Sequence, residues 1–122
     1  MLTQNGKFGA PPDPGCLETR EIPAIFLRLH TPRAQIALPY ASLVKLSLKL
    51  DETALEISFV THHVVISGKH LAEIYQSVAE AHAIVISVAP EDFSAEIQLP
   101  GQKALVRAIR IEPLDAAERR KR

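Results

Sequence analysis

The chain has 122 residues, 47% of them hydrophobic and 23% charged, with 14 basic residues balanced by 14 acidic ones. A formal net charge of zero excludes the strongly basic field that draws a protein to nucleic acid or anionic lipid, and the hydrophobic share is that of one soluble folded domain. With no Trp, four Phe and two Tyr, a stacking platform for single-stranded nucleic acid has little to be built from.

The opening run MLTQNGKFGAPPDPG carries neither the basic start nor the apolar core of a signal peptide, and no stretch reaches membrane-spanning length. Cys16 is the sole cysteine, so no disulfide can close within the chain, and a reducing compartment, by default the cytoplasm, is expected. Residues 1–21 hold Gly6, Gly9, Pro11, Pro12, Pro14 and Gly15 without a period of either kind and read as a flexible arm. Residues 22–113 read as a single domain. Residues 114–122 end in four consecutive basic residues, Arg119 to Arg122, and read as a basic tail.

From Pro23 the pattern turns strand-like, with Ile25, Leu27 and Leu29 on one parity, and Thr31-Pro32 ends the run. A shorter run, Ala34, Ile36 and Leu38, stops at Pro39. Val44, Leu46, Leu48 and Leu50 then alternate with Lys45, Ser47 and Lys49, one apolar face against one wet face, which favours an antiparallel sheet. Across the polar Asp51-Glu52-Thr53 loop, Leu55, Ile57 and Phe59 resume the alternation, and these two strands should pair. A second hairpin is expected through His62-His63 into Val64 and Ile66.

At Gly68 the rhythm changes. Leu71, Ile74, Tyr75, Val78, Ala79 and His82 recur at three- and four-residue steps, which predicts a helix over residues 69–82 with one buried stripe. Ser67 or Gly68 is the expected N-cap, Glu73 favours the positive helix end, and His82 in the last turn suits the negative end. Ile84, Val85, Ile86 and Val88 form an apolar run expected to be a central strand buried on both faces, parallel to the Val64 strand through a right-handed crossover. Residues 95–99 alternate again, Pro100-Gly101 marks a turn, and the last strand changes parity between Val106 and Ile109, which suggests a bulge.

Motifs that carry chemistry are sparse. His70 and His82 are twelve residues apart, roughly 18 Å along a helix, and cannot share an ion. His62 and His63 would point to opposite faces of a strand, so no metal site is expected; the surviving geometry would join one of them to His70. Ser67-Gly68-Lys69-His70 leads from strand to helix but lacks the glycine and hydroxyl spacing of a phosphate loop. There is no Gly-x-Ser-x-Gly elbow, and no catalytic residue is assigned. Gly68, Lys69, His70 and His63 remain as a candidate site for a small anion or nucleotide.

The expected fold is α+β: a curved, mainly antiparallel sheet of about seven strands packed on one principal helix, compatible with a PH-like roll. The expected function is a non-catalytic interaction or assembly module that self-associates or meets another protein, without cofactor, membrane or nucleic acid. Anion or nucleotide binding at Gly68, Lys69 and His70 is the alternative.

Overall fold

The computed structural model describes residues 15–90 and 103–114. Their elements, in chain order, are β1 (Leu17–Thr19), β2 (Phe26–His30), β3 (Gln35–Pro39), a turn of 3-10 helix (Tyr40–Ser42), β4 (Leu43–Leu48), β5 (Ala54–Phe59), β6 (His62–Lys69), α1 (Ala72–Ala79), β7 (Ala83–Ser87) and β8 (Leu105–Pro113). The fold is mixed α+β, mostly strand, with antiparallel pairing dominant and one α-helix among the described residues. The expected single sheet is replaced by two four-stranded sheets, ordered β1-β7-β2-β3 and β4-β5-β6-β8.

Local signals hold where they are strongest. At the β2–β3 hairpin, the Thr31 hydroxyl accepts from the amides of Arg33 and Ala34, closing the turn that Pro32 enforces. β4, β5 and β6 form an antiparallel meander, as the two alternating runs predict. The parity change in β8 is a bulge: Ser67 pairs with Ala108 but Gly68 with Val106, leaving Arg107 as the extra residue.

Four expectations are corrected. The segment of residues 15–19 is not part of an arm, because Leu17–Thr19 pairs with β7 and Cys16 is buried, its sulfur accepting the Val106 amide at 3.3 Å. The chain β6–α1–β7 is not a crossover within one sheet. The flank of β6 that would receive β7 is occupied by β8, and β7 inserts instead between β1 and β2, parallel to β2. Ile84 and Val85 are only half-buried, so β7 is central but not covered on both faces. Val44 is 65% exposed because a register shift between Leu43 and Lys45 turns it outward, and Leu50 is exposed beyond the end of β4. Expectations for residues 1–14, 95–99, Pro100-Gly101 and 115–122 lie outside the described residues.

The helix is shorter than the periodicity predicts. Lys69 still pairs with Leu105 in the β6–β8 ladder, His70 takes a left-handed conformation at φ 57°, and Leu71 is the N-cap without any side-chain cap bond. Ser67 and Gly68 are therefore ladder residues and not caps. At the other end, the amide of His82 donates to Ser77 O and that of Ala81 to Val78 O, the bond pair of a Schellman motif, with Ala81 at φ 61° in the position that glycine usually fills. Ala81→Gly should relieve this left-handed strain and raise the unfolding free energy by about 1 kcal/mol, measured by urea denaturation. A loss of stability would show that the Ala81 methyl group supports packing.

One core joins the two layers. Leu71, Ile74 and Val78 at the helix, all essentially inaccessible, belong to one buried cluster with Leu27 and Leu29 of the first sheet and Leu55, Ile57, Val64 and Ile66 of the second. Tyr40, in the connection between the sheets, donates its hydroxyl to Ala83 O at 2.6 Å and ties that connection to β7.

Candidate functional site

The residues singled out from the sequence are not brought together. His63 and Lys69 lie near opposite ends of β6, roughly 20 Å apart at the strand rise. At the strand-to-helix turn, the Gly68 amide donates to Thr53 O and the Leu71 amide to Glu52 O, so two donors that an anion would need are already committed. Leu105 O sits where a Gly68 side chain would begin. Gly68 therefore serves a close strand contact, while Lys69 and His70 point into solvent from a packed junction. The metal geometry joining His62 or His63 to His70 is not formed, and no group of three or more metal-ligating side chains occurs among the described residues.

His63 instead belongs to a polar row on the outer face of the second sheet. The two-residue turn at Val60 and Thr61 sets Ser58 opposite His63, and Ser58 Oγ lies 3.3 Å from His63 Nδ1. His63 Nε2 is 3.7 Å from Glu56 Oε1, an ion pair only when the ring is protonated. Ser, His and Glu are the residue types of an acyl-transfer triad, but here they stand on a sheet face. The β5 and β6 backbone at these residues is engaged in the strand ladder, which leaves no pair of amides aimed at a developing oxyanion. The trio was legible in the sequence, since a two-residue hairpin turn fixes the register of its flanks.

Burial moves one titratable group strongly: desolvation pushes Tyr40 from its ordinary value of 10.0 up to about 12. Between those pH values the folded chain holds a proton that the unfolded chain has released. The contribution of Tyr40 to stability is thus complete below pH 10.0 and is lost as pH rises through about 12. Tyr40→Phe should cost about 1 kcal/mol at neutral pH. The gap between wild type and variant should close in thermal melts taken through this alkaline window; a constant gap would assign the loss to packing. At the exposed Asp51, the Thr53 hydroxyl bond lowers the carboxyl pKa and steadies the β4–β5 loop.

Two surface features remain. Ile22, Ile25 and Phe26 are 65%, 77% and 45% exposed, and Ile25 and Phe26, with Pro23, Ala24 and Ile84, line a shallow depression of about 360 Å³ flanked by Arg20 and Arg28. The second feature is a strand edge. β1 is three residues long, β3 ends at Pro39, and β4 is bulged and carries Lys45, with Lys49 just beyond its end, so three of the four sheet edges among the described residues are short or blunted. β8 is nine residues long and, among the described residues, pairs only with β6.

Half of its backbone groups can be assigned a direction. Leu114 N donates to Thr61 O across the end of the β6–β8 ladder, so Glu112 and Arg110, two and four residues back, also turn toward β6. Ile109 and Ile111 then direct their N–H and C=O groups outward, away from the sheet. The earlier part of this edge is covered, because Val106 O accepts from Ala89 N and Val106 N donates to Cys16 Sγ. Among the described residues the open portion thus runs over residues 109–113, with half-buried Ile109 and Ile111 on the core side and exposed Arg110 and Glu112 on the outer side.

No protein-family model matches the chain, and neither curated proteins nor solved structures give a match.

Proposed function

We propose that this chain is a non-catalytic interaction and assembly module that self-associates by strand addition. The observation that carries this reading is the end of β8, whose outward backbone groups bond to no other strand among the described residues, while the remaining described edges are short, bulged or proline-ended. Main-chain hydrogen bonds along an open edge supply affinity for another extended segment. The balance of 14 basic against 14 acidic residues removes long-range repulsion between copies. A closed two-fold dimer satisfies such an edge in one step. A reducing compartment suits a chain whose one cysteine is buried as a core residue. No helix among the described residues is long and apolar enough to cross a membrane.

Sedimentation equilibrium of the full-length protein tests the reading. A dimer at tens of micromolar is expected, and a chain that stays monomeric there overturns it.

A further inference from the structure

We infer that the partner at β8 is a second copy of the same strand, running antiparallel, with the two-fold axis at Ile111. This inference rests on the proposed self-association and specifies its register. In an antiparallel pair, opposed residues must both face each other or both face away, so the axis between identical strands falls on a residue. An axis at Arg110 would set Arg110 against its own copy, and an axis at Glu112 would do the same with a carboxylate. An axis at Ile109 would bring Val106 and the bulged Arg107 into the pairing, where the Val106 backbone is already bonded to Ala89 and Cys16. At Pro113 the missing N–H leaves too little ladder.

The axis at Ile111 has none of these conflicts. Ile111 meets Ile111 of the second copy, and the Ile109 amide donates to Pro113 O, giving about four interchain backbone bonds. On the core side, Ile109 and Ile111 extend the apolar face built by Ile66 and Val64, their partners in β6. On the outer side, Arg110 of each copy stands opposite Glu112 of the other. These two side chains already meet within one strand, Arg110 Nε lying 3.1 Å from Glu112 Oε2, so the dimer converts one pair into a four-charge network. Glu112 is also the ladder partner of His63. The polar row of Glu56, Ser58 and His63 is therefore continued across the axis by Arg110 of the second copy.

The test is a charge swap in the full chain, with association measured by sedimentation. Arg110→Glu and Glu112→Arg, both at exposed positions, should each weaken the dimer about tenfold. The double variant R110E/E112R should return to within a few-fold of wild type. Ile111→Cys should form an interchain disulfide on mild oxidation, since directly opposed hydrogen-bonded strand residues lie within bridging distance, whereas Val44→Cys on the bulged edge should not. A monomeric wild type would overturn the self-association reading itself. A wild-type dimer with no charge-swap rescue and no interchain disulfide from Ile111→Cys would overturn only the register, and its loss on Ile25→Asp would move the interface to the apolar depression. Amides of Ile109 and Ile111 protected from exchange equally at all protein concentrations would show the edge filled within one chain, which also overturns the inference.

Discussion

Gly68→Ala is expected to lower the unfolding free energy by about 3 kcal/mol, at the upper end of the cost of forcing an extra carbon into a packed interior. An ideal Cβ on Gly68 would lie 1.9 Å from Leu105 O, 2.9 Å from Leu105 C and 3.1 Å from Val106 Cα. All three atoms are backbone, so no rotamer change can clear them. The strand that carries them cannot retreat easily, because Leu105 and Val106 are fully buried and Val106 is held by Ala89 and Cys16. Relief requires the β6–β8 ladder to part at the bulge, where Ser67 pairs with Ala108 and Gly68 with Val106. Urea denaturation of the purified variant measures the effect. Ser67→Ala, one residue earlier in the same strand and only half-buried, should change stability far less. A Gly68→Ala loss below about 1 kcal/mol would mean that β8 can shift without breaking its other contacts.

Gly68 also marks the limit of what sequence pattern conveys. A glycine between an alternating run and a helical period reads naturally as a helix start, yet its reason lies in the chain passing 37 residues later, and alternation carries no information about that neighbour. The same limit explains the sheet assignment. The apolar run in β7 identifies a strand, but whether it joins β6 or the gap between β1 and β2 depends on which edge β8 has filled. Cys16 and Leu17 lie in a Pro/Gly-rich segment with no period, so neither the burial of the first nor the strand of the second leaves a local trace. Local features were readable for the complementary reason. The β4–β5 and β5–β6 hairpins, the β8 bulge and the Leu71, Ile74, Val78 stripe are set by residues close together in the chain. The candidate edge combines both kinds of information. Its alternating isoleucines and opposite charges are visible in the sequence, but its openness among the described residues emerges only once the other described strands have found their partners.

Ile74→Ala is expected to cost between about 2 and 5 kcal/mol, the range for removing a large aliphatic side chain from a core that closes only partly over the space. Ile74 is fully inaccessible, as are the N-cap Leu71 before it and, to within 1%, Val78 one turn later, and with half-buried Tyr75 they form the core-facing stripe of a helix just eight residues long. So short a helix is not stable by itself, and its N-cap supplies no side-chain bond, so its order depends on that stripe. Removing the central member loosens the helix and also uncovers the inner strands of both sheets, because the helix residues share one core with Leu29, Leu55 and Ile66. Glu80 is the contrasting position. It is exposed, accepts a bond from Gln76 Nε2 at 2.8 Å and lies 3.5 Å from His82 Nδ1, and such surface contacts contribute only a few tenths of a kcal/mol. Glu80→Ala should therefore leave the urea midpoint nearly unchanged while Ile74→Ala shifts it markedly. Comparable shifts at the two positions would show that the helix is not held by its Leu71, Ile74 and Val78 face.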